Sequence, residues 1–353
     1  MEESKLKKLL DYTIKKDASD LHISADRHPI ARIHGKLQKI REVELLSPQE
    51  AKNIALELLG DKKSSRFEEE KEIDFSYLHE DGTRFRVNVF KQKGKVSSAL
   101  RKIPNHIKNL EQLNLPETLY EFAEAGQGLV LVTGPASHGK STTLAALIDR
   151  INRTRFDHII TIEDPIEYVF KDDKALVDQR EVGEDTDSFA KALKSVFRQD
   201  PDVIMVGEMR DPETIKTAIT AAETGHLVFS TLHTNSASQT IHRIIDSFPA
   251  DQQGQVRAQL SASLLGIVSQ RLVSRTEGGL IPACEILKSN PAVSNLIREN
   301  KVHEIDITIE THGEDGMISL NKYLSNLIKK DKITLESAIT ASAKPKNLRK
   351  LID

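Results

Sequence analysis

The chain has 353 residues, 38% of them hydrophobic and 5% aromatic, which is enough to bury two separate cores. Fifty Lys plus Arg against 53 Asp plus Glu leave a formal net charge of -3, so the overall balance makes no electrostatic case for a nucleic acid or an anionic membrane. A single cysteine, Cys284, excludes an intrachain disulfide framework and any multi-cysteine zinc site, and fits a reducing, cytoplasmic setting.

The opening segment MEESKLKKLLDYTIKK mixes charges with apolar residues and lacks the apolar core of a signal peptide. No stretch approaches the roughly 18 apolar residues of a membrane span, so no integral membrane segment is expected. Leu6, Leu9, Leu10 and Ile14 recur at helical spacing and predict an amphipathic helix. Between Glu72 and Phe90, Ile73, Phe75 and Tyr77, then Phe85, Val87 and Val89, alternate on either side of Asp81-Gly82. That pattern predicts a β-hairpin with Arg84, Arg86 and Asn88 on the opposite face. A strand-like KVSSAL leads to Arg101, and Pro104 and Pro116 then punctuate a polar stretch that reads as a linker. The expected organisation is an N-terminal domain over 1–102, a linker over 103–112 and a second domain over 113–353.

In the second domain the runs GLVLVTG, HIITIED, DVIMVGE and HLVFSTLH are continuously apolar and alternate with helical stretches, the signature of an α/β domain around a mainly parallel sheet. In DTDSFAKALKSVFRQ the residues Phe189, Leu193, Val196 and Phe197 are expected to share one helix face. Residues 289–353 read as helical, with Leu320, Leu324, Leu327 and Ile328 on one stripe.

Gly134, Pro135, Ala136, Ser137, His138, Gly139, Lys140 and Ser141 spell GPASHGKS, a match to GxxxxGK[ST] between an apolar strand and the helical TTLAALIDRI that starts at Thr142. Loop N–H groups and a helix N-terminus cradle phosphate oxygens in this motif, the lysine reaches the β- and γ-phosphates, and the serine hydroxyl binds magnesium. ATP and Mg2+ are therefore the expected ligands, with Lys140 and Ser141 in those roles. Ser137 and His138 stand where glycines would give freer dihedrals, so the loop either keeps negative φ there or carries strain. His138 reads as a solvent-facing loop residue.

Hydrolysis also needs a carboxylate to polarise water and an acidic group near the metal. Glu163-Asp164 leaves the strand in TIEDPIEY, and Glu208 leaves the strand in QDPDVIMVGEMRD, both at the sheet edge where open α/β folds place ligands. Either could instead be a helix cap, but two such ends after a phosphate loop favour catalysis. His233 ends a third strand and precedes Thr234-Asn235-Ser236, where it can be a sensor of the γ-phosphate or a structural residue.

These segments resemble the secretion ATPase superfamily, and within it the type IV pilus retraction ATPases. GPASHGKSTT resembles the family's Walker A, TIEDPIEY its Asp box, RQDPDVIMVGEMRD its Walker B segment and AAETGHLVFSTLHTNSA its His box, in the family's order. ASDLHI and the RFRVN and LRKIP stretches resemble its PAS-like N-terminal domain, so the likeness covers nearly the whole chain. The resemblance implies a RecA-like core with a smaller α+β PAS-like domain and a C-terminal helical region. It implies Glu163 as the water-activating carboxylate, Glu208 on the magnesium side, and Arg86 and Arg101 as arginines brought to the nucleotide. It further implies a homohexameric, cytoplasmic motor at the inner-membrane platform protein of a pilus machine, driving filament disassembly and twitching motility; from the near-neutral charge balance, no nucleic-acid partner is expected. One cysteine and 353 residues leave no room for the tetracysteine motif and extra N-terminal sequence of the extension and type II secretion relatives, and PAVSNLIRENK resembles a segment of retraction ATPases, with Val293 and Ser294 where Ile and Arg are usual. Extension or secretion ATPases of the same superfamily, a RecA-like DNA motor and a non-catalytic nucleotide sensor are the alternative expectations.

Overall fold

The structure, a computed structural model, describes residues 4–104 and 106–352. Residues 1–3 of the expected first segment, Asn105 of the expected linker, and Asp353 lie outside the described residues. The chain divides into two units, Met1–His106 with Pro165–Val169, and Ile107–Asp164 with Phe170–Asp353.

In the first unit, α1 (Lys5–Lys15) is capped by Ser4 and buries Leu6, Leu9, Leu10 and Thr13 on one face. Three short strands follow, β1 (Asp20–Ser24), β2 (Ile30–Ile33) and β3 (Lys36–Lys39), then the helix α2 (Pro48–Glu70) and three longer strands, β4 (Glu72–Leu78), β5 (Arg84–Gln92) and β6 (Lys95–Lys102). Ser47 and Glu50 start α2 with a reciprocal capping box, which satisfies two of the donors a helix start leaves unpaired, and the helix is interrupted at Gly60. All strand pairs are antiparallel, in the order β3-β2-β1-β6-β5-β4. The expected hairpin is β4–β5, with Ile73 opposite Val89, Phe75 opposite Val87 and Tyr77 opposite Phe85. Its apolar face joins α1 and α2 in one core that includes Leu6, Leu10, Leu58, Phe67, Phe85 and Leu100. Period-2 alternation therefore leaves Arg84, Arg86 and Asn88 on the half-exposed face.

The second unit is built on β7 (Gly128–Thr133), β8 (His158–Glu163), β9 (Leu176–Glu181), β10 (Val203–Val206), β11 (Leu227–Leu232), β12 (Leu264–Ser274) and β13 (Leu280–Lys288), in the order β13-β12-β7-β11-β10-β8-β9. Only β12 and β13 pair antiparallel; the other neighbours are parallel. The four expected apolar runs are β7, β8, β10 and β11, and every residue of β7, β10 and β11 is buried, as a sheet covered on both faces requires. After the short α3 (Tyr120–Glu124), helices α4 (Lys140–Thr154), α5 (Phe189–Val196), α6 (Pro212–Glu223), α7 (Ala237–Asp246) and α8 (Ala250–Ser263) accompany the sheet. The C-terminal region is helical as expected: α9 (Pro291–Arg298), α10 (Ile305–Thr311), α11 (Leu320–Lys329), α12 (Leu335–Ala341) and α13 (Pro345–Arg349). Leu320, Leu324 and Leu327 of α11 pack with Val273 and Ile281 in a core of their own.

Phe197 departs from expectation. α5 ends at Val196, so Phe197 caps the helix and stays 38% exposed, its ring edge-on to His226 at 5.6 Å. Strands β9, β12 and β13 were not read from the sequence. Cys284 is fully buried on β13, where burial pushes its thiol up to about 12. Among the described residues, no helix is long and apolar enough to cross a membrane.

Candidate nucleotide site

The wholly buried β7 ends at Thr133 and releases the GPASHGKS loop at the C-terminal edge of the sheet. Gly134 has φ 138°, and a Cβ there would stand 2.2 Å from the Gln270 carbonyl oxygen, so only glycine lets the loop leave this close to β12. Ser137 resolves the choice left open by the sequence: its φ is 62°, left-handed, as is that of Gly139 at 81°. α4 starts at Lys140, leaving its N-terminal N–H groups and the positive end of its dipole beside the loop. The Lys140 ammonium is buried and donates to the carbonyls of Gly134 and Pro135, both at 2.9 Å. Ala136, Ser137 and Ser141 are exposed, and Pro135, His138 and Thr142 half-buried.

Strand order places the second group of residues. β11 lies between β7 and β10, so His233, just past β11, stands between the lysine and the acidic strand end. Its Nδ1 is 3.4 Å from the Lys140 Nζ and its Nε2 is 3.5 Å from Glu208 Oε2. An ammonium can only donate, so Nδ1 is the acceptor and, in the neutral ring, the proton sits on Nε2 facing the carboxylate. Arg210 approaches the other oxygen of Glu208 at 2.5 Å, and this hydrogen bond raises the guanidinium pKa despite partial burial. Glu163 ends β8 and is buried, accepting from the Thr161 hydroxyl at 2.8 Å and the Gln179 amide at 3.0 Å. Neither glutamate caps a helix. That task at α6 falls to Asp211, which accepts from the Thr214 N–H at 2.9 Å.

His138 is not solvent-facing, contrary to the sequence reading. Its Nδ1 accepts from the backbone N–H of Leu272 at 2.9 Å, and its carbonyl accepts from the Gln270 side-chain amide at 2.8 Å. Burial, then the charges of Arg271 and Lys140, hold its pKa below the ordinary histidine value, which keeps Nδ1 free to accept. The Gln270 carbonyl Oε1 also accepts from the Thr143 hydroxyl at 2.7 Å. Gln270 escaped the sequence reading, although an amide inside the apolar run LLGIVSQRLV is a visible signal. Glu285 escaped it too: on β13 it accepts from the Ala237 N–H at 2.8 Å at the start of α7, and burial raises its carboxyl.

Arg86 and Arg101 belong to the first unit, directly opposite one another on β5 and β6. Arg101 Nε donates to Asp20 at 3.0 Å, and Arg86 Nη1 lies 3.5 Å from Glu167 of the same unit. Burial alone would raise the Asp20 carboxyl, but the Ser19 hydroxyl and the guanidiniums of Arg101 and Arg32 hold it below the usual range.

Comparison with known proteins identifies the family. Residues 2–346 match the model described as type II/IV secretion system protein. The chain is 46% identical over 342 residues, 96% of its length and 98% of the relative's, to the type IV pilus retraction ATPase PilT of Pseudomonas aeruginosa. It is 46% identical to a twitching motility protein of Neisseria gonorrhoeae, covering 88% of this chain and 83% of that one. A crystal structure of the pilus retraction motor PilT with bound ADP superposes with a TM-score of 0.92 at 48% identity, covering 99% of this chain and all (100%) of that one. The fold is accordingly a RecA-like P-loop core with a smaller α+β PAS-like N-terminal domain and a C-terminal helical region. The chain belongs to the type II/IV secretion system protein family, and within it is an ATPase.

Proposed function

We propose that this ATPase is a magnesium-dependent motor whose hydrolysis of ATP powers type IV pilus retraction. The observation that carries the reading is the alignment of Lys140, His233 and Glu208 along the ends of β7, β11 and β10, with the buried Glu163 closing β8. The GPASHGKS N–H groups and the start of α4 bind the phosphates, with Lys140 moving from loop carbonyls to the β- and γ-phosphate oxygens. The magnesium donors are the Ser141 hydroxyl and the Glu208 carboxylate, hard oxygens of the kind this ion takes. Bound there, it would neutralise charge on the phosphates. Glu163, oriented by Thr161 and Gln179, polarises the attacking water, and His233 senses the γ-phosphate from between Lys140 and Glu208. Arg86 and Arg101 are the arginines that closure would bring to the nucleotide, a contribution worth roughly 10³-fold or more in rate.

Domain limits of 1–102, 103–112 and 113–353, a homohexameric assembly, a cytoplasmic site at the inner membrane and docking on a platform protein complete the reading. The likeness to retraction and twitching proteins over nearly the whole chain supports it against extension or secretion. Its test separates the two glutamate and lysine roles: Lys140→Ala is expected to lose tight ATP binding, whereas Glu163→Gln keeps it and loses about 10²–10⁴-fold in turnover. Equal loss of binding in both variants overturns the division of roles. Cells carrying Glu163→Gln are expected to extend pili without retracting them.

A further inference from the structure

We infer that Gln270 is a positioning residue of the phosphate loop, holding it in its binding shape from the β12 side. This rests on the nucleotide-site reading above. The Gln270 amide is 2% exposed and spends both ends on the loop-helix junction: Nε2 donates to the His138 carbonyl at 2.8 Å, and Oε1 accepts from the Thr143 hydroxyl at 2.7 Å. One side chain thus spans from the loop interior to the first turn of α4, on opposite sides of Lys140 in sequence. Its own backbone carbonyl lies beneath Gly134, and the next N–H along β12 but one, that of Leu272, holds the His138 ring.

Three further observations support positioning over simple packing. The Thr143 hydroxyl also lies 3.2 Å from the Gly139 carbonyl, so the amide, bonded to His138 and Thr143, closes around the loop–helix junction that contains Lys140. Ser137 is held left-handed in the same loop, a conformation that persists only where its surroundings over-determine it. Lastly, a buried amide with both ends satisfied by neutral partners is rigid and has no charge to exchange with a ligand. Gln270 reaches Lys140 and the phosphate-binding N–H groups only through the loop, and acts on them by fixing where they point.

The test measures binding of ADP and ATP, with magnesium, to the full chain. Gln270→Ala is expected to weaken both about tenfold, and Thr143→Val, which keeps shape and removes the hydroxyl, to weaken both several-fold. The double variant is expected to be no worse than Gln270→Ala, because the two changes break one bridge. The kcat at saturation is expected to fall by less than the KM rises. A lowered unfolding temperature with unchanged nucleotide affinity in the folded fraction overturns the inference, as does strict additivity of the two variants. If Gln270→Ala does not fold, normal affinity in Thr143→Val alone overturns it. Failure of the wild-type chain to bind either nucleotide would instead sink the nucleotide-site reading.

Discussion

The phosphate loop is held from two sides by different chemistry. Toward β11 and β10 its lysine meets His233 and, through it, Glu208 and Arg210, and these side chains are charged or titratable and partly exposed. Toward β12 it meets a buried amide, a backbone carbonyl and a backbone N–H. Charged partners near water exchange readily, since a phosphate or a metal can take the place of a carboxylate or a carbonyl on the same ammonium. Neutral buried hydrogen bonds are costly to leave unmade and gain nothing from an incoming anion. On the proposed function, the difference separates contacts built to change with the nucleotide from contacts built to outlast it: the first set would belong to the reaction, the second to the frame.

The sharpest way to break the frame is Gly134→Ala. The added methyl meets the Gln270 carbonyl at 2.2 Å, backbone that cannot rotate away. We expect a stability loss of about 2 kcal/mol or more, together with loss of nucleotide binding, measured by denaturant unfolding and ADP titration. Unchanged binding would show that the loop does not need its close passage under β12. Glu208→Gln addresses the other side. Removing one charge from a partly exposed ion pair should cost less than about 1 kcal/mol in stability, while hydrolysis falls at least tenfold. An unfolding temperature that drops as far as in Gly134→Ala would erase the contrast between the two sides.

Glu285→Gln gives the smallest and most specific effect. Burial raises the folded-state pKa of Glu285, so its neutral form is favoured by folding. The stability this contributes is fully present below the unfolded-state value of about 4.3 and is lost as pH rises through the raised folded value. A glutamine cannot ionise, so the variant should gain unfolding temperature relative to wild type as pH rises from about 4 toward the raised folded value. A difference that stays flat across that range would mean the carboxyl at the start of α7 ionises freely.

How much of this was legible depended on how locally each feature is encoded. The β4–β5 hairpin and its two faces could be read because both strands and their turn lie within twenty-one consecutive positions and one face must be buried. The strands β7, β8, β10 and β11 announced themselves as apolar runs, and the acidic ends and His233 followed from where those runs stop. Phe197 departs from the expected face because it directly follows Val196, the last helical position, and caps the helix. The β12 side was illegible for another reason. Gln270 and Leu272 reach loop residues more than 120 positions earlier in sequence, and nothing in the text of either segment states that they will be neighbours. The same distance explains why His138 read as solvent-facing: its partner is a backbone N–H, which has no sequence signature.

Cys284 has a practical consequence. The chain contains no tryptophan and this one thiol, which is fully buried on β13 with its pKa pushed up to about 12. At neutral pH it offers almost no thiolate and no access, so it is chemically silent while the protein stays folded. The native molecule therefore contributes no indole emission and no reactive thiol, although its five tyrosines still absorb. A cysteine introduced on the surface would be the lone site of dye attachment, and a tryptophan placed beside the phosphate loop would be the lone indole emitter. Movements of single segments during turnover can be followed in this chain without first stripping it of competing signals.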